Sequence, residues 1–369
     1  MHEITVPEID IHVTKAGRSR INEMNFDHLE FGKYVSDHMF SAQYKNGIWH
    51  QAEIIPYRDI SLAPTALCLH YGQTIFEGMK AFRMQNTLNE SGRGDVSIFR
   101  MEKHFERINK SLDRMCMANV HEELFFESIK KLIKIDQEWV PDADGSSLYI
   151  RPFMIATEER FGVKESEEFL FIIFTGPVPK LFNKPLKVKV ETEYVRAAKG
   201  GTGAAKCGGN YGGALYPTKI AKHEGYHAVL WTDSRENKYI EEAGMMNVMF
   251  IMDGVLVTPP LSDSILDGIT RDSVLTIARD MKIAVEERLI SVDELIAAMK
   301  KGRLSEAFGA GTAAVIAPIE MIGAYGEDYV LPEIKENAVM FQLKKRLENM
   351  RTGIDADIYG WNTIIECKR

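Results

Sequence analysis

The spacing of apolar residues along the chain changes repeatedly between the period of a β-strand and that of an α-helix. Alternating or continuous apolar runs predict strands, and these occur in SLYIRPFMIA (147–156), EEFLFIIFTG (167–176), LKVKVETEYVRA (186–197) and YHAVLWTD (226–233). The run MNVMFIMDGVLVTPP is predicted to fold back at Asp253-Gly254 as a hairpin. ALCLHYGQTIFEGMKAFRM is predicted to form paired strands with a tight turn, and NTLNESGRGD (86–95) a hairpin tip before the strand VSIFR.

Helical spacing occurs in four other segments. In MEKHFERINKSLDRM, the apolar residues Phe105, Ile108 and Leu112 fall on one face of a helix. A second helix is predicted in EELFFESIKKLIKIDQEWV, and two more in TRDSVLTIARDMK and SVDELIAAMKK. Ser291 and Glu294 have the spacing of a capping box at the start of the last helix. The first 45 residues show little periodicity and are predicted to form an irregular arm.

The chain length of 369 residues favours two domains. The segment TGPVPKLFNKP carries three prolines and a glycine, which are typical of a linker. We therefore expect a smaller N-terminal domain over 1–176, a linker over 177–187 and a larger C-terminal domain over 188–369. Both halves mix strands and helices with hairpins rather than strict β-α alternation, which predicts two α+β domains.

Composition excludes several classes of partner. Hydrophobic residues make up 45% of the chain and charged residues 27%, with a formal net charge of −8 and no lysine- or arginine-rich run. Nucleic acids and anionic membranes are therefore not expected as partners. The four cysteines are far apart and form no C-x-x-C pair, so neither a metal site nor a disulfide framework is predicted. The start MHEITVPEIDIHVTK shows no signal or transit pattern, so a cytoplasmic protein is expected.

The segment GTGAAKCGGNYGG, residues 201–213, surrounds one lysine with six glycines. Glycine loses more conformational entropy on folding than other residues, so this density indicates close approach of the backbone to a flat or phosphorylated ligand. An amine in a crowded, partly desolvated site can attack a carbonyl, which makes Lys206 a candidate for bonding an aldehyde cofactor. A flexible loop with a solvated lysine is the alternative.

Two adjacent glutamates follow in YIEEAGMMN, at the end of a predicted strand. Neighbouring side chains on a strand point to opposite faces, so one of Glu241 and Glu242 is predicted to be solvated while the other enters a site. A buried carboxylate needs a partner, and a protonated pyridine nitrogen would serve. An ordinary surface pair is the alternative.

Two turns are suited to binding an anion. In LDGITRDSVLTIA, Gly268 allows a tight turn, Thr270 can cap, and the following helix offers free amides to a phosphate. In FGAGTAAVIAP, Gly309 and Gly311 precede Thr312, whose hydroxyl can join the backbone amides. A plain helix start and a plain glycine turn are the alternatives.

A lysine, a carboxylate and two phosphate-suited turns together match the needs of pyridoxal 5'-phosphate, which requires an amine, an anion and phosphate donors. The alternative from another class is a phosphate- or nucleotide-binding module without activity, built on the glycine turns.

Four segments of the C-terminal half stand in order: AAKCGGNYGGALYP, YIEEAGMMN, TPPLSDSILDGITRDS and EAFGAGTAAVIAP. The N-terminal half adds FGKYVSDHMF, LCLHYGQTIFEGMKAFR, RMEKHFERINKSLDRM and SLYIRPFMIATEERFGV. From about Phe31 to at least Pro318, the chain strongly resembles the branched-chain amino acid aminotransferases, pyridoxal-phosphate enzymes of fold type IV. The resemblance implies two α+β domains with the active site at their interface, and a homodimer. It also implies transamination of L-leucine, L-isoleucine and L-valine with 2-oxoglutarate, giving branched-chain 2-oxo acids and L-glutamate.

The resemblance assigns cofactor contacts residue by residue. Lys206 is implied to be the Schiff-base lysine, which moves the proton between substrate Cα and cofactor C4′. Glu242, rather than Glu241, is implied to pair with the pyridine nitrogen, and Tyr211 to hydrogen-bond the phenolic oxygen. Arg107 is implied to grip the phosphate, although its predicted helix alone would indicate a solvated residue. The remaining implied cofactor residues form the phosphate seat: Leu266, Gly268, Ile269, Thr270, Gly311 and Thr312.

The resemblance also implies a substrate pocket, in which each buried methylene contributes about 0.8 kcal/mol. The aromatic residues implied to enclose the branched side chain are Phe31, Tyr71, Phe76 and Tyr149. The amides of Ala313 and Ala314, which follow Thr312, are implied to take the α-carboxylate. Arg151 is implied either to orient Tyr71 or to receive the carboxylate of glutamate.

Some positions depart from the family pattern. Met245 stands where some relatives carry a hydroxyl residue that touches the cofactor ring, so this contact is predicted to be lost. AVIA (314–317) lacks the two cysteines that some mammalian relatives use as a redox pair, and Leu181 and Phe182 do not plainly match a tyrosine that some relatives lend across the dimer. A D-amino acid aminotransferase or an aminodeoxychorismate lyase of the same fold is the alternative activity, because both would keep the lysine, the glutamate and the phosphate turns.

Overall fold

The computed structural model divides the chain into two compact units. The residues it describes are 10–88, 94–180 and 184–367. The first unit ends at Pro179 and takes in the chain again from Gly360, and the second is Lys180–Tyr359.

The predicted linker, 177–187, spans the point at which the units divide, although its residues 181–183, which include Leu181 and Phe182, lie outside the described residues. The prediction that 188–369 is a single domain is wrong at its end. Asn362–Ile365 forms an antiparallel pair with the first-unit strand Val96–Phe99, so the last residues belong to the first unit.

The strands of the described residues are, in chain order, β1 (His12–Val13), β2 (His38–Lys45), β3 (Ile48–Pro56), β4 (Thr74–Phe76), β5 (Met79–Arg83), β6 (Val96–Phe99), β7 (Ser147–Ala156), β8 (Phe169–Val178), β9 (Leu186–Glu191), β10 (Ala228–Thr232), β11 (Ile240–Ala243), β12 (Met246–Met252), β13 (Val255–Thr258), β14 (Val285–Glu287), β15 (Leu304–Gly311), β16 (Val315–Ala324), β17 (Glu327–Val330) and β18 (Asn362–Ile365).

The α-helices of the described residues are α1 (Cys68–Tyr71), α2 (Met101–Arg114), α3 (Glu122–Ile135), α4 (Gly208–His223), α5 (Ile269–Asp280), α6 (Val292–Lys300) and α7 (Val339–Arg351). Short 3-10 turns lie at Ile21–Glu23, Phe26–His28 and Gln137–Trp139.

The first unit is built on one sheet with the strand order β1-β3-β2-β8-β7-β5-β6-β18, and β4 also pairs with β7. β7 and β8 form its longest antiparallel pair, from Ser147↔Val178 to Ala156↔Phe169. Helix α3 packs against β2, and α2 packs against β4. The predicted apolar face of α2 is confirmed at Ile108 and Leu112, which are fully buried.

In the second unit the sheet closes on itself. Its strand order is β11-β10-β9-β16-β15-β12-β13-β14, and a further β11–β12 pairing joins the strands from β11 to β12 into a ring. Alternation along β10 separates two apolar clusters, because successive side chains leave opposite faces. Leu230 packs in the main core with residues of the ring and α6, whereas Val229 and Trp231 pack against Ala221 of α4.

Several local predictions are confirmed. Asp253 and Gly254 both have positive φ, 50° and 79°, as a type I′ hairpin turn requires. They join β12 to β13 in an antiparallel pair. The side chain of Ser291 accepts a hydrogen bond from the backbone amide of Glu294 at 3.1 Å, which caps α6 as predicted.

Other local predictions are wrong. The segment 66–84 contains the short helix α1, and β4 and β5 each pair with β7 rather than forming a hairpin together. The predicted irregular arm ends early, because β2 begins at His38 and pairs with both β3 and β8. Of the predicted hairpin tip at 86–95, residues 89–93 lie outside the described residues.

Candidate active site

The glycine loop of the second unit is tied to the start of helix α4, which begins two residues after Lys206. Asn210, in the first turn of α4, donates from Nδ2 to the carbonyl oxygens of Thr202 and Ala205, both at 2.8 Å. Its Oδ1 accepts from the Thr202 hydroxyl at 2.7 Å. One amide side chain therefore holds the loop against the helix and fixes the backbone that carries Lys206.

Lys206 and Tyr211 form an amine–phenol pair. The Nζ atom of Lys206 donates to the Tyr211 hydroxyl at 2.8 Å and lies 5.3 Å from the centre of the ring. Both side chains are half-buried. The helical start at Gly208 allows this contact, because it turns residue 211 back toward residue 206.

Glu242 lies on β11 and is 3% exposed. Its Oε1 accepts from the backbone amide of Leu266 at 2.8 Å, and its Oε2 lies 3.2 Å from Nε of Arg196. Burial raises the pKa of the Glu242 carboxyl, and Arg196, the Leu266 amide and Lys206 oppose this rise. The Glu242 carboxylate therefore lies between the Leu266 amide and the Arg196 guanidinium, in the same unit as the amine of Lys206.

The prediction that one of the two glutamates is solvated is wrong, because Glu241 is also buried, at 9% exposure. Its Oε1 accepts from the hydroxyl of Ser264, while its Oε2 is buried without a hydrogen-bond partner. Burial raises the pKa of the Glu241 carboxyl as well. The two neighbouring glutamates therefore have different surroundings, because both carboxylate oxygens of Glu242 lie beside donors whereas one oxygen of Glu241 has none. A buried carboxyl group without partners favours its neutral form.

Strand register brings the phosphate-suited turns to the same end of the ring. Glu242 pairs with Asn247 across β11–β12, and Asn247 pairs with Ala310 across β12–β15. Gly311 and Thr312 follow directly, so the second turn begins beside this row of residues. The side chain of Asn247 reaches the first turn by donating to the Leu266 carbonyl oxygen at 3.0 Å.

The first turn places Gly268 at the N-cap of α5, so Ile269 and Thr270 are the first helical residues. The prediction that Thr270 caps the helix is wrong, since it lies inside the first turn. A Cβ at Gly268 would lie 1.8 Å from Oδ1 of Asn247, so glycine is required for the loop to pass over that amide. A helix N-terminus presents free backbone amides and the positive end of the helix dipole, so the start of α5 has the local geometry that the sequence predicts for anion binding.

The second turn joins β15 to β16. Gly311 pairs with Val315, leaving Thr312, Ala313 and Ala314 as a three-residue loop. Thr312 and Ala313 are half-buried. Gly309, two residues before Gly311 on β15, packs against Met246, whose Cε would lie 2.7 Å from an added Cβ. Met245, in the turn between β11 and β12, is 70% exposed.

In the first unit, Arg107 makes a buried ion pair with Glu77. The Nε of Arg107 donates to Oε1 at 2.6 Å and its Nη2 donates to Oε2 at 2.9 Å. His104 Nδ1 lies 2.7 Å from the same Oε2. Burial would raise the pKa of the Glu77 carboxyl, but the charges of Arg107 and His104 outweigh it and hold that pKa well below its usual range.

Four of the residues predicted for the substrate lie together in the first unit. The rings of Phe31 and Tyr149 meet edge to face at 5.5 Å. The guanidinium of Arg151 lies 4.8 Å from the Phe76 ring centre and 5.1 Å from that of Tyr149, and it donates to the Tyr149 hydroxyl at 3.2 Å. Cation–π contact thus orients Arg151 between two aromatic rings.

Tyr71 is not part of that contact group. It is 40% exposed, and its hydroxyl donates to the carbonyl oxygen of Phe161. Arg151 instead bonds Tyr149, so the predicted option in which Arg151 orients Tyr71 is wrong. The Nε of Arg151 is buried without a hydrogen-bond partner.

Sequence reasoning missed three residues that organise these sites: Arg196, Asn247 and Glu77. A signal existed for Glu77, because a charge inside the apolar run TIFEGMKAF must be paired if the run is buried. Arg196 and Asn247 carry no such signal, since their partners Glu242, Ser264 and Leu266 lie far along the chain.

Neither a metal-binding cluster nor a membrane-spanning helix is found in the described parts of the chain. Among those residues, no group of three or more histidine, cysteine, aspartate or glutamate side chains could hold a metal ion. None of the helices in those same parts has the length and apolar character needed to cross a membrane.

Known proteins match this chain over most of its length. Residues 74–322 match the family described as amino-transferase class IV. The chain is 43% identical over 339 residues to branched-chain-amino-acid aminotransferase 2 of Bacillus subtilis, covering 91% of this chain and 92% of that protein. It is 42% identical over 340 residues to the branched-chain-amino-acid aminotransferase of Mycolicibacterium smegmatis, covering 90% of each. The crystal structure of the Escherichia coli branched-chain amino acid aminotransferase has a TM-score of 0.70 and 25% identity, covering 88% of this chain and 98% of that one. These likenesses confirm the predicted fold class.

Proposed function

The chain belongs to the amino-transferase class IV family, and on that premise we propose that it transfers the amino group of L-leucine, L-isoleucine and L-valine to 2-oxoglutarate. The products are the branched-chain 2-oxo acids and L-glutamate. The observation that carries the proposal is the pair Lys206–Tyr211, at 2.8 Å, in the unit that also holds the buried carboxylate of Glu242. Names of relatives with more than 40% identity support the branched-chain substrates over D-amino acids or aminodeoxychorismate.

The donor set of the second unit fits pyridoxal 5'-phosphate. Lys206 offers an amine for the aldehyde, Tyr211 a phenol for the phenolic oxygen, and Glu242 a carboxylate for the ring nitrogen. The phosphate seat combines Leu266, Gly268, Ile269, Thr270, Gly311 and Thr312. Arg107, in the first unit, is assigned to the phosphate by family resemblance alone.

Pyridoxal phosphate, when bound, supplies an electron sink that stabilises negative charge at the substrate Cα. Lys206 then acts as general base and general acid at that carbon, because its amine is the movable proton carrier of the site. Tyr211 orients the amine through its hydroxyl. The carboxylate of Glu242 would face the ring nitrogen in a dry environment, where a negative charge stabilises a positive nitrogen more strongly than in water.

Substrate selection is assigned to the first-unit residues Phe31, Phe76, Tyr149 and Arg151, with Tyr71 at 40% exposure. Aromatic rings favour a branched side chain by about 0.8 kcal/mol for each methylene buried. The guanidinium of Arg151 would receive the γ-carboxylate of glutamate, since its Nε has no hydrogen-bond partner. Ala313 and Ala314, after Thr312, would offer amides to the α-carboxylate.

We further propose that the enzyme is a cytoplasmic homodimer, as the family resemblance implies. Light scattering after size exclusion would give twice the chain mass of 41.8 kDa, and a mass equal to one chain would overturn the dimer. Fractionation of the source cells tests the cytoplasmic assignment, which recovery in another compartment would overturn.

The test of the activity uses the purified protein as it exists. We expect a yellow preparation whose visible band bleaches when L-leucine is added, and glutamate formation from 2-oxoglutarate with leucine, isoleucine and valine. D-Alanine and aminodeoxychorismate serve as comparison substrates, and turnover of either in place of leucine would overturn the assignment. A colourless protein that does not change with leucine would instead support a binding module.

A pair of lysine variants tests the site itself. Lys206→Ala is expected to abolish turnover while leaving part of the phosphate affinity, because the phosphate seat is on other residues. Lys238→Ala, at an exposed position of the same unit, is the matched control and should keep normal rates. Near-normal turnover in Lys206→Ala would contradict the assignment.

A further inference from the structure

Arg196 links three segments of the second unit through one guanidinium. Its side chain is 9% exposed and follows β9 in the approach to the glycine loop. The Nη2 atom donates to the carbonyl oxygen of Gly203 at 3.1 Å and to that of Ser264. The Nε atom lies 3.2 Å from Oε2 of Glu242, at ion-pair distance but without hydrogen-bond geometry. The loop of Lys206, the strand of Glu242 and the segment before Leu266 thus share one cation.

The backbone near Arg196 is closely packed, and this packing fixes the carbonyl groups that its side chain binds. A Cβ at Gly203 would lie 2.5 Å from Cβ of Ala197 and 2.7 Å from the Cα and carbonyl oxygen of Ser264. Glycine at 203 therefore lets the loop touch both neighbours, and this contact presents the two carbonyl oxygens to the guanidinium. Arginine suits this position because its planar fork can bind several acceptors at once, which a lysine ammonium cannot do in the same geometry.

The charges facing Glu242 come from three elements: Arg196 after β9, Lys206 in the glycine loop and Glu241 on β11. Glu241 and burial favour a neutral Glu242, whereas the two cations favour the carboxylate. Lys206 donates to Tyr211 and is assigned to the cofactor aldehyde. Arg196 lies within ion-pair distance of Glu242, and its place is set by backbone carbonyl groups.

We infer that Arg196 is a positioning residue that keeps Glu242 ionised and aimed at the cofactor ring nitrogen, while clamping the loop of Lys206 to the segment before Leu266. This inference rests on the proposed function. Without Arg196 the buried carboxylate of Glu242 would lose its ion-pair partner at 3.2 Å, so burial would favour its neutral form, which stabilises a protonated ring less. The clamp on Gly203 would also be lost, so the amine of Lys206 would be held less rigidly.

The test compares loaded holoenzymes of Arg196→Lys and Arg196→Gln with the unmodified protein. We expect both variants to bind pyridoxal phosphate, with the pH titration of the visible band shifted and kcat for leucine lowered about tenfold to a hundredfold. KM for leucine should change much less, because Arg196 is not assigned to the substrate. Arg196→Lys should retain more activity than Arg196→Gln, since it keeps the charge. An unchanged titration and kcat in folded, loaded variants would overturn the inference.

Two controls separate positioning from general loss of stability. Arg271→Lys removes another buried arginine of the same unit, whose Nη2 contacts the Pro259 carbonyl oxygen and Glu287, both at 2.8 Å. Arg271→Lys should lower the unfolding temperature but leave the pH titration of the visible band unchanged. An equal shift in Arg271→Lys would overturn the specific role of Arg196.

The double variant Arg196→Gln/Glu242→Gln should be about as slow as Glu242→Gln alone, because residues that act through one another are not additive. If the losses of rate in the two single variants instead multiply in the double variant, Arg196 does not act through Glu242. If the unmodified protein has neither a visible band nor leucine turnover, the proposed function fails. A working enzyme with unaffected Arg196 variants overturns only this inference.

Discussion

The carboxylate of Glu77 binds the guanidinium of Arg107 through two hydrogen bonds, Nε to Oε1 at 2.6 Å and Nη2 to Oε2 at 2.9 Å. Glu77 is fully buried, and Arg107 is 6% exposed. The backbone amide of Gly78 donates to the same carboxylate at 3.1 Å. Glu77, which directly follows β4, thus orients Arg107 of α2, although no ligand is assigned to Glu77 itself.

Breaking this pair should destabilise the first unit strongly. Glu77→Gln keeps the shape but removes the negative charge that the buried guanidinium of Arg107 contacts, so the free energy of unfolding should fall by about 3–5 kcal/mol. Urea unfolding measures the loss. Asp253→Asn breaks the exposed pair with Arg303 and serves as a control that should change stability little. Equal effects of the two variants would contradict a buried, dry ion pair.

The same pair sets an acid limit on stability. The folded-state pKa of Glu77 is lowered from an ordinary value of 4.5, so its contribution is fully present above that pH. As the pH falls below 4.5 toward the lowered folded value, the unfolded chain binds the proton first and the contribution is lost. Stability should therefore fall more steeply with acid in the unmodified protein than in Glu77→Gln. Parallel curves would show that Glu77 has an ordinary pKa.

The two neighbouring glutamates should differ in their effect on rate. Glu242→Gln removes a charge that Arg196 and the Leu266 amide stabilise, so we expect kcat for leucine to fall by about a hundredfold or more. Glu241→Gln changes a residue to which no cofactor contact is assigned, and the glutamine can still accept from Ser264, so the change should be small. Steady-state kinetics decides between them, and equal losses would reverse the choice of Glu242.

Local rules predicted the parts of the structure that depend on neighbours in sequence. The turn at Asp253-Gly254 and the cap at Ser291 follow from residue types a few positions apart, and both are present. Helix α4 was missed because Gly208, Gly209, Gly212, Gly213 and Pro217 all lower helix propensity. The bonds of Asn210 to the preceding loop supply contacts that propensity does not count.

Pairings between distant segments could not be predicted from the residues alone. The alternation rule predicted one solvated glutamate because it assumes that one face of the strand is exposed to solvent. Both Glu241 and Glu242 are buried, so both faces of the strand are covered at this point. Residue types likewise cannot decide that Arg151 bonds Tyr149 rather than Tyr71, since that depends on which strands lie side by side. Lys206, Tyr211 and the phosphate turns were recognised because their motifs are local.

Arg151 should distinguish between the two kinds of amino acceptor, 2-oxoglutarate and the branched-chain 2-oxo acids. Its guanidinium is assigned to the γ-carboxylate, so Arg151→Met should raise KM for 2-oxoglutarate by about tenfold or more and change KM for the branched 2-oxo acids far less. Tyr71→Phe is the control, because the Tyr71 hydroxyl donates to the Phe161 carbonyl oxygen rather than to Arg151. Kinetics with each oxo acid measures the selectivity. A uniform rise for all acceptors in Arg151→Met would show that the residue only supports the fold.

Alanine substitution should lower stability at some glycines of the segment 201–213 and raise it at others. An added Cβ at Gly203 meets Ala197 and Ser264 at 2.5 and 2.7 Å, so Gly203→Ala must push the loop away and should cost about 1–3 kcal/mol. Gly213, inside α4, has nothing within 4 Å of an added Cβ, and Gly213→Ala should stabilise the helix by about 1 kcal/mol. Thermal unfolding of both variants with the cofactor removed measures the difference. If Gly203→Ala proves as stable as the unmodified protein, the contact with Ser264 is looser than the distances require, and the glycine is not needed for packing.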